Sequence, residues 1–132
     1  MLRSSARFSL TLSALKSDSI AGKNLYAVFR LHNLPYLVTK GDKVILPFKM
    51  KNVNVGDKLN LTDVITLGSP HYTYTQKEGI SEQLFKLTAN VTEVTREPYY
   101  EVIKTRPRCR RKKIVPVQPF QTVLTIDTLK LA

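Results

Sequence analysis

From Leu25 the apolar positions fall at every second residue, with Leu25, Ala27, Phe29 and Leu31 on one face and Tyr26, Val28, Arg30 and His32 on the other. That period is the pleat of a half-buried strand. Asn33 and Pro35 break the alternation and Tyr36 to Thr39 resumes it, so the spacing predicts a hairpin with an exposed tip near His32 to Pro35. Lys40-Gly41-Asp42 marks a turn before a strand through Val44, Leu46 and Phe48, with Pro47 placing it at a sheet edge or ending its pairing. The phrase Gly41-Asp42-Lys43-Val44 returns as Gly56-Asp57-Lys58-Leu59, which implies two similar strand entries rather than a repeat array. Val64 to Leu67 is another short strand, stopped by Gly68-Ser69-Pro70.

The clearest alternation runs through Phe85, Leu87, Ala89 and Val91 against Lys86, Thr88, Asn90 and Thr92. Between these strands, His71 to Gln83 reads as an insertion, with a strand through Tyr72 and Tyr74 and a helical turn over Ile80 to Leu84. Arg96-Glu97-Pro98 turns the chain into a strand over Tyr99 to Ile103, and Val123 to Ile126 forms the last strand. The expected fold is all-β: a small, closed β-barrel of seven or eight short strands with no long helix.

Met1 to Ser17 differs in kind. Leu2, Ala6, Leu10 and Ala14 recur at helical spacing beside Arg3, Arg7 and Lys16, among five serines and no acid. This is the composition of a mitochondrial presequence; a short helix on the domain surface is the alternative. The chain divides accordingly into a presequence-like segment, 1–22, and a single barrel domain, 23–132. No apolar run approaches the roughly 20 residues of a membrane helix, and the single Cys109 excludes an internal disulfide.

Charge changes the picture most. Lys104 to Lys113 reads Lys-Thr-Arg-Pro-Arg-Cys-Arg-Arg-Lys-Lys, seven cations in ten residues without an acid. Residues 104–132 carry eight Lys or Arg against Asp127, a net charge of +7 out of +11 for the whole chain. Such a concentration points to a polyanion, against the plainer reading of a solvated basic loop. Pro107 keeps the run from being a regular helix or central strand, so it is expected to protrude as a basic loop or hairpin arm. Lys104, Arg106, Arg108, Arg110, Arg111, Lys112 and Lys113 are the candidate nucleic-acid contacts, since guanidinium forks and ammonium groups both bind phosphate. Arg30, His32, Lys40, Tyr99 and Phe120 are further candidates. Tyr99, Tyr100 and Phe120 flank the run and suit base stacking, although burial in the core is the favoured reading for each.

Catalysis finds little support. His32 and His71 sit in no metal-ligand spacing and beside no nucleophile, and Glu78 and Glu82 read as a solvated pair. No phosphate-cradling glycine loop occurs. The sequence therefore nominates no catalytic residue, no metal site, no cofactor and no small-molecule substrate.

The chain resembles the bacterial-type large-subunit ribosomal protein L-twenty-one family in a mitochondrial form. The matching residues are Tyr26-Ala27-Val28, Tyr36-Leu37-Val38, Gly41-Asp42, Val55-Gly56-Asp57 before Val64-Ile65, Thr88-Ala89-Asn90-Val91, and Lys104 through Lys113 with Gln118-Pro119-Phe120. The resemblance implies a β-barrel that binds large-subunit ribosomal RNA through its basic arm in the mitochondrial matrix, beside a neighbouring protein of the L-twenty family. A free RNA-binding β-barrel in RNA processing or regulation is the alternative. Two places depart from the family: His32-Asn33-Leu34-Pro35 stands where it has a Gly-Gly-Lys-Gln-like turn, and Pro116-Val117 replaces its Gly-His before Gln-Pro.

Overall fold

The computed structural model describes residues 3–132, with side chains from Thr11 onward. Leu2, Ala6 and Leu10, three of the four positions of the expected helical stripe, lie outside the described side chains. One helix, α1 (Arg3–Ile20), precedes ten strands: β1 (Tyr26–Leu31), β2 (Leu34–Thr39), β3 (Lys43–Leu46), β4 (Lys58–Asn60), β5 (Val64–Gly68), β6 (Thr73–Thr75), β7 (Phe85–Arg96), β8 (Tyr100–Lys104), β9 (Lys113–Val117) and β10 (Phe120–Leu131). A 3-10 turn, Glu82–Leu84, leads into β7. The chain is mainly β, as the alternation requires, but with ten strands rather than seven or eight. Two of them, β7 and β10, are twelve residues long.

The ladders form two four-stranded antiparallel sheets, in the orders β2-β1-β5-β6 and β3-β10-β7-β4, and a separate ribbon β8-β9. They do not close into the expected barrel. Their edges are short or carry proline: Pro35 lies in β2, Pro47 follows the end of β3, and β4 and β6 are three residues each.

One apolar layer lies between the sheets. Ala27, Phe29, Val38, Val64 and Leu67 come from the first sheet, and Val44, Leu46, Leu87, Ala89, Val91, Leu124 and Ile126 from the second. The faces anticipated for β1 and β7 are the buried ones, apart from Thr88. Its hydroxyl meets that of Thr128 at 2.6 Å across the strands, which allows it to be buried on the side assigned to solvent. In β10 the alternation Thr122, Leu124, Ile126 passes to Leu129 by a register shift between Ile126 and Thr128. A bulge resets the phase there and keeps the C-terminal end of the strand on the core.

The two Gly-Asp phrases form the same turn twice. Gly41 and Gly56 have φ of 90° and 94°, and Asp42 and Asp57 each accept a backbone N–H three residues upstream, from Thr39 and Asn54, at 2.8 Å. Each Gly N–H donates to a central strand and each Asp carbonyl accepts from the same residue, Ile126 on β10 or Val91 on β7. These repeated turns therefore dock β3 and β4 on opposite sides of the β7–β10 pair.

The helix is part of this packing. Leu15 is fully buried, Leu12 packs against the same cluster, and α1 touches β6 and β10. Gly22, at φ 75°, ends the helix: its N–H donates to the Ser19 carbonyl and that of Lys23 to the Asp18 carbonyl, a Schellman pattern. Asp18 turns inward, accepting from the Ser69 hydroxyl at 2.7 Å and from the Lys23 ammonium at 2.9 Å. The Ser69 hydroxyl in turn accepts from the N–H groups of His71 and Tyr72, so the helix organises the turn ahead of β6. That contact, with Thr73–Thr75 paired to β5, gives the expected insertion a defined place in the first sheet.

Candidate nucleic-acid interface

The ribbon β8–β9 extends the central pair of the fold. The chain leaves β7 at Arg96, enters β8 at Tyr100, returns through β9 and rejoins β10 at Phe120, directly opposite Arg96. The Glu97 N–H donates to the Pro119 carbonyl at 2.9 Å, and Gln121 Nε2 to the Glu97 carboxylate at 3.1 Å, which ties the junction together. Beyond it the ribbon stands clear of both sheets, and every residue of β8 is exposed. A lone two-stranded ribbon is marginal in water. Its anchorage is the long β7–β10 ladder below it.

The basic run caps this ribbon. Lys104 and Lys113 close the ladder as a directly opposed pair, an arrangement that like charges disfavour unless an anion lies between them. In the loop between them the Cys109 N–H donates to the Arg106 carbonyl at 3.3 Å. Pro107 at the second position of this turn and Arg108 at φ 63° at the third follow the type II pattern, which ordinarily calls for glycine at the third. A non-glycine residue held there costs on the order of 1 kcal/mol or more. Lys104, Arg106, Arg108, Arg110, Arg111, Lys112 and Lys113 are all exposed, and among the described residues none has a carboxylate partner.

The other candidates separate. Tyr99, Tyr100 and Phe120 are 56%, 47% and 38% exposed, so the core placement favoured for them is corrected: they line the ribbon and its root, which lie outside the layer between the sheets. The Tyr99 hydroxyl donates to the Glu101 carboxylate, and that bond, followed by partial desolvation, raises the phenol's pKa. Two cations lie over the Phe120 ring, the Arg96 guanidinium 4.3 Å and the Lys49 ammonium 5.2 Å from its centroid. Arg30 is engaged elsewhere: its guanidinium grips both oxygens of Asp63, at 3.1 and 2.9 Å, which raises its pKa and leaves less of the fork for phosphate. Lys40 is separated from the arm: its neighbour Gly41 bonds to Ile126, six residues along β10 from Phe120, on the order of 20 Å.

His32 lies at the arm's end of the molecule. Its φ of 49° and that of Asn33, 62°, make the two-residue turn between β1 and β2. The imidazole meets Phe48 edge-on, with centroids 4.5 Å apart. Phe48 to Lys51, absent from the sequence-derived candidates, thus join the surface that carries the arm. The Lys-Met-Lys after Phe48 was the available signal, but only folding brings it beside His32 and Phe120.

Sequence comparison finds related proteins. The chain is 42% identical over 106 residues to the large ribosomal subunit protein bL21m of Neurospora crassa, an alignment covering 80% of this chain and 49% of that protein. It is 28% identical to mouse large ribosomal subunit protein bL21m, covering 82% and 51%. It is also 28% identical to the aconitase-ribosomal protein bL21m fusion protein of Schizosaccharomyces pombe, covering 80% and 12%. The chain thus spans about half the length of the Neurospora and mouse relatives and a small part of the fusion protein. The profile of the family described as ribosomal prokaryotic L21 protein matches residues 25–129, from the residue before β1 to near the end of β10 and across the whole arm. The chain belongs to the ribosomal prokaryotic L21 protein family.

Proposed function

We propose that this protein is a non-catalytic structural constituent of the mitochondrial large ribosomal subunit, binding ribosomal RNA through the β8–β9 arm. The observation that carries the reading is the arm itself: seven exposed cations without carboxylate partners among the described residues, on a ribbon continuous with the central strand pair. Arginine and lysine there neutralise phosphate; contacts of that kind fix position and register without reading sequence. The ribbon's apolar stem, with Val102 and Ile103 exposed, supports a neighbouring ribosomal protein, for which the family resemblance suggests the L-twenty family.

The matrix location draws on the acid-free, arginine-bearing Met1 to Ser17 and on the bL21m relatives. The burial of Leu15 and Asp18 supports retention of the second half of α1 in the working protein, with any address function held in the residues before it.

Sedimentation of mitochondrial lysate through a gradient after a high-salt wash tests the reading. The protein is expected to travel with the large subunit. Recovery chiefly in free fractions would favour a free RNA-binding protein instead.

A further inference from the structure

We propose that the corner between His32 and Phe48 accepts one unstacked RNA base, with Lys49 and Lys51 holding the phosphates on either side of it. The inference rests on the RNA-binding reading above and adds a second mode of contact, distinct from that of the arm.

Two elements build the corner. The β1–β2 turn brings the His32 ring to Phe48, and the rings stand at 89° with centroids 4.5 Å apart. Phe48 belongs to the segment after β3, which is pinned from behind: the Thr122 hydroxyl donates to the Phe48 carbonyl at 2.8 Å and its oxygen accepts the Met50 N–H at 3.2 Å. Thr122 is fully buried in β10, so the segment is fixed to the core. His32, Phe48, Lys49, Met50 and Lys51 line a cavity of about 560 Å³ whose lining holds no carboxylate.

Two rings at right angles offer a flat guest one face to stack on and one edge to abut, and Met50 adds a polarizable surface. A nucleobase presents such a flat face and carries a phosphate on each side, which answers the two lysines. Bases in a duplex are stacked on one another, so the guest must come from a loop, bulge or single strand. The corner is also continuous with the arm: Lys49 reaches over Phe120, and Arg96 covers the same ring at the arm's root. The neighbouring acid, Glu97, is occupied by Gln121. An apolar side chain of a protein would fill the corner but leave both lysines unanswered.

The chain has no tryptophan, so Phe48→Trp places a single reporter in the corner. With the full chain, oligoadenylate is expected to quench its fluorescence, while inorganic polyphosphate of equal charge binds without quenching. Phe48→Leu is expected to weaken oligoadenylate binding about tenfold. The double variant Lys49→Gln, Lys51→Gln lies at the surface, and should make the salt dependence shallower by about 1.4 in slope without altering the fold. Oligoadenylate that binds with no quenching and no loss in Phe48→Leu would overturn the proposal while leaving arm-mediated RNA binding intact. Quenching by RNA-stripped ribosomal proteins alone would give the corner to a protein side chain and overturn it. Failure of the unaltered chain to bind any RNA would defeat both the corner and the underlying reading.

Discussion

Gly68 is opposite Tyr26 in the β1–β5 ladder, and a Cβ placed on it would overlap the Tyr26 ring. Gly68→Ala is therefore expected to lower stability by about 1–3 kcal/mol, measured by urea denaturation. A neutral result would mean that the tyrosine has room to turn away. Asp18 makes a second prediction. The Lys23 ammonium and the Ser69 hydroxyl hold its pKa below the ordinary carboxylate value, with a lesser contribution from the charge of His71. Because folding lowers this pKa, the contribution is complete above the ordinary value and is lost as pH falls through the lowered one. Exchange protection of α1 amides, relative to those of Leu87 and Leu124, should decline below about pH 4, and Asp18→Asn should remove that dependence. Equal profiles for the two proteins would exclude the Asp18 contact as the anchor. In the sequence Gly68 read only as part of a strand stop and Asp18 had no role, since a glycine ending a strand and an aspartate ending a helix acquire these contacts only from Tyr26 and Ser69 across the fold.

At the level of elements, α1 and the arm respond oppositely to change. Leu15→Ala removes a fully buried side chain where the helix meets β6 and β10, and is expected to cost about 2–5 kcal/mol in urea unfolding. Replacing residues 105–112 by Asn-Gly should leave unfolding unchanged, because the arm adds nothing to the layer between the sheets. A large loss on shortening the arm would show that the ribbon supports the core. Strands with strict alternation, β1 and β7 above all, were legible because a single face is buried. The sheet arrangement was not. Period two assigns faces but not partners, so the open ladders, the bulge that resets β10 and the continuity of β7–β8 with β9–β10 emerge only from pairing. The basic run was legible from charge alone, whereas Tyr99, Tyr100 and Phe120 were misassigned because an aromatic beside a strand has the same local pattern whether its neighbour is a core or solvent.

In the whole molecule, charge and packing occupy different places. Two sheets and a helix enclose the apolar layer, and the β7–β10 pair carries positive charge out of it to an exposed tip, with the Phe48 to Lys51 segment and Phe120 at the root. Family membership fits this division, since the matched residues span both the packed body and the arm. The direct measurement is the salt dependence of binding to large-subunit ribosomal RNA, comparing the unaltered chain with Arg106→Gln, Arg108→Gln, Arg110→Gln and Arg111→Gln combined. If five or six arm cations neutralise phosphates, log affinity should fall against log salt with a slope of about −4 to −5, and the fourfold variant should be shallower by about three units while remaining folded. An unchanged slope in the folded variant would contradict the assignment of the arm as the RNA-binding element.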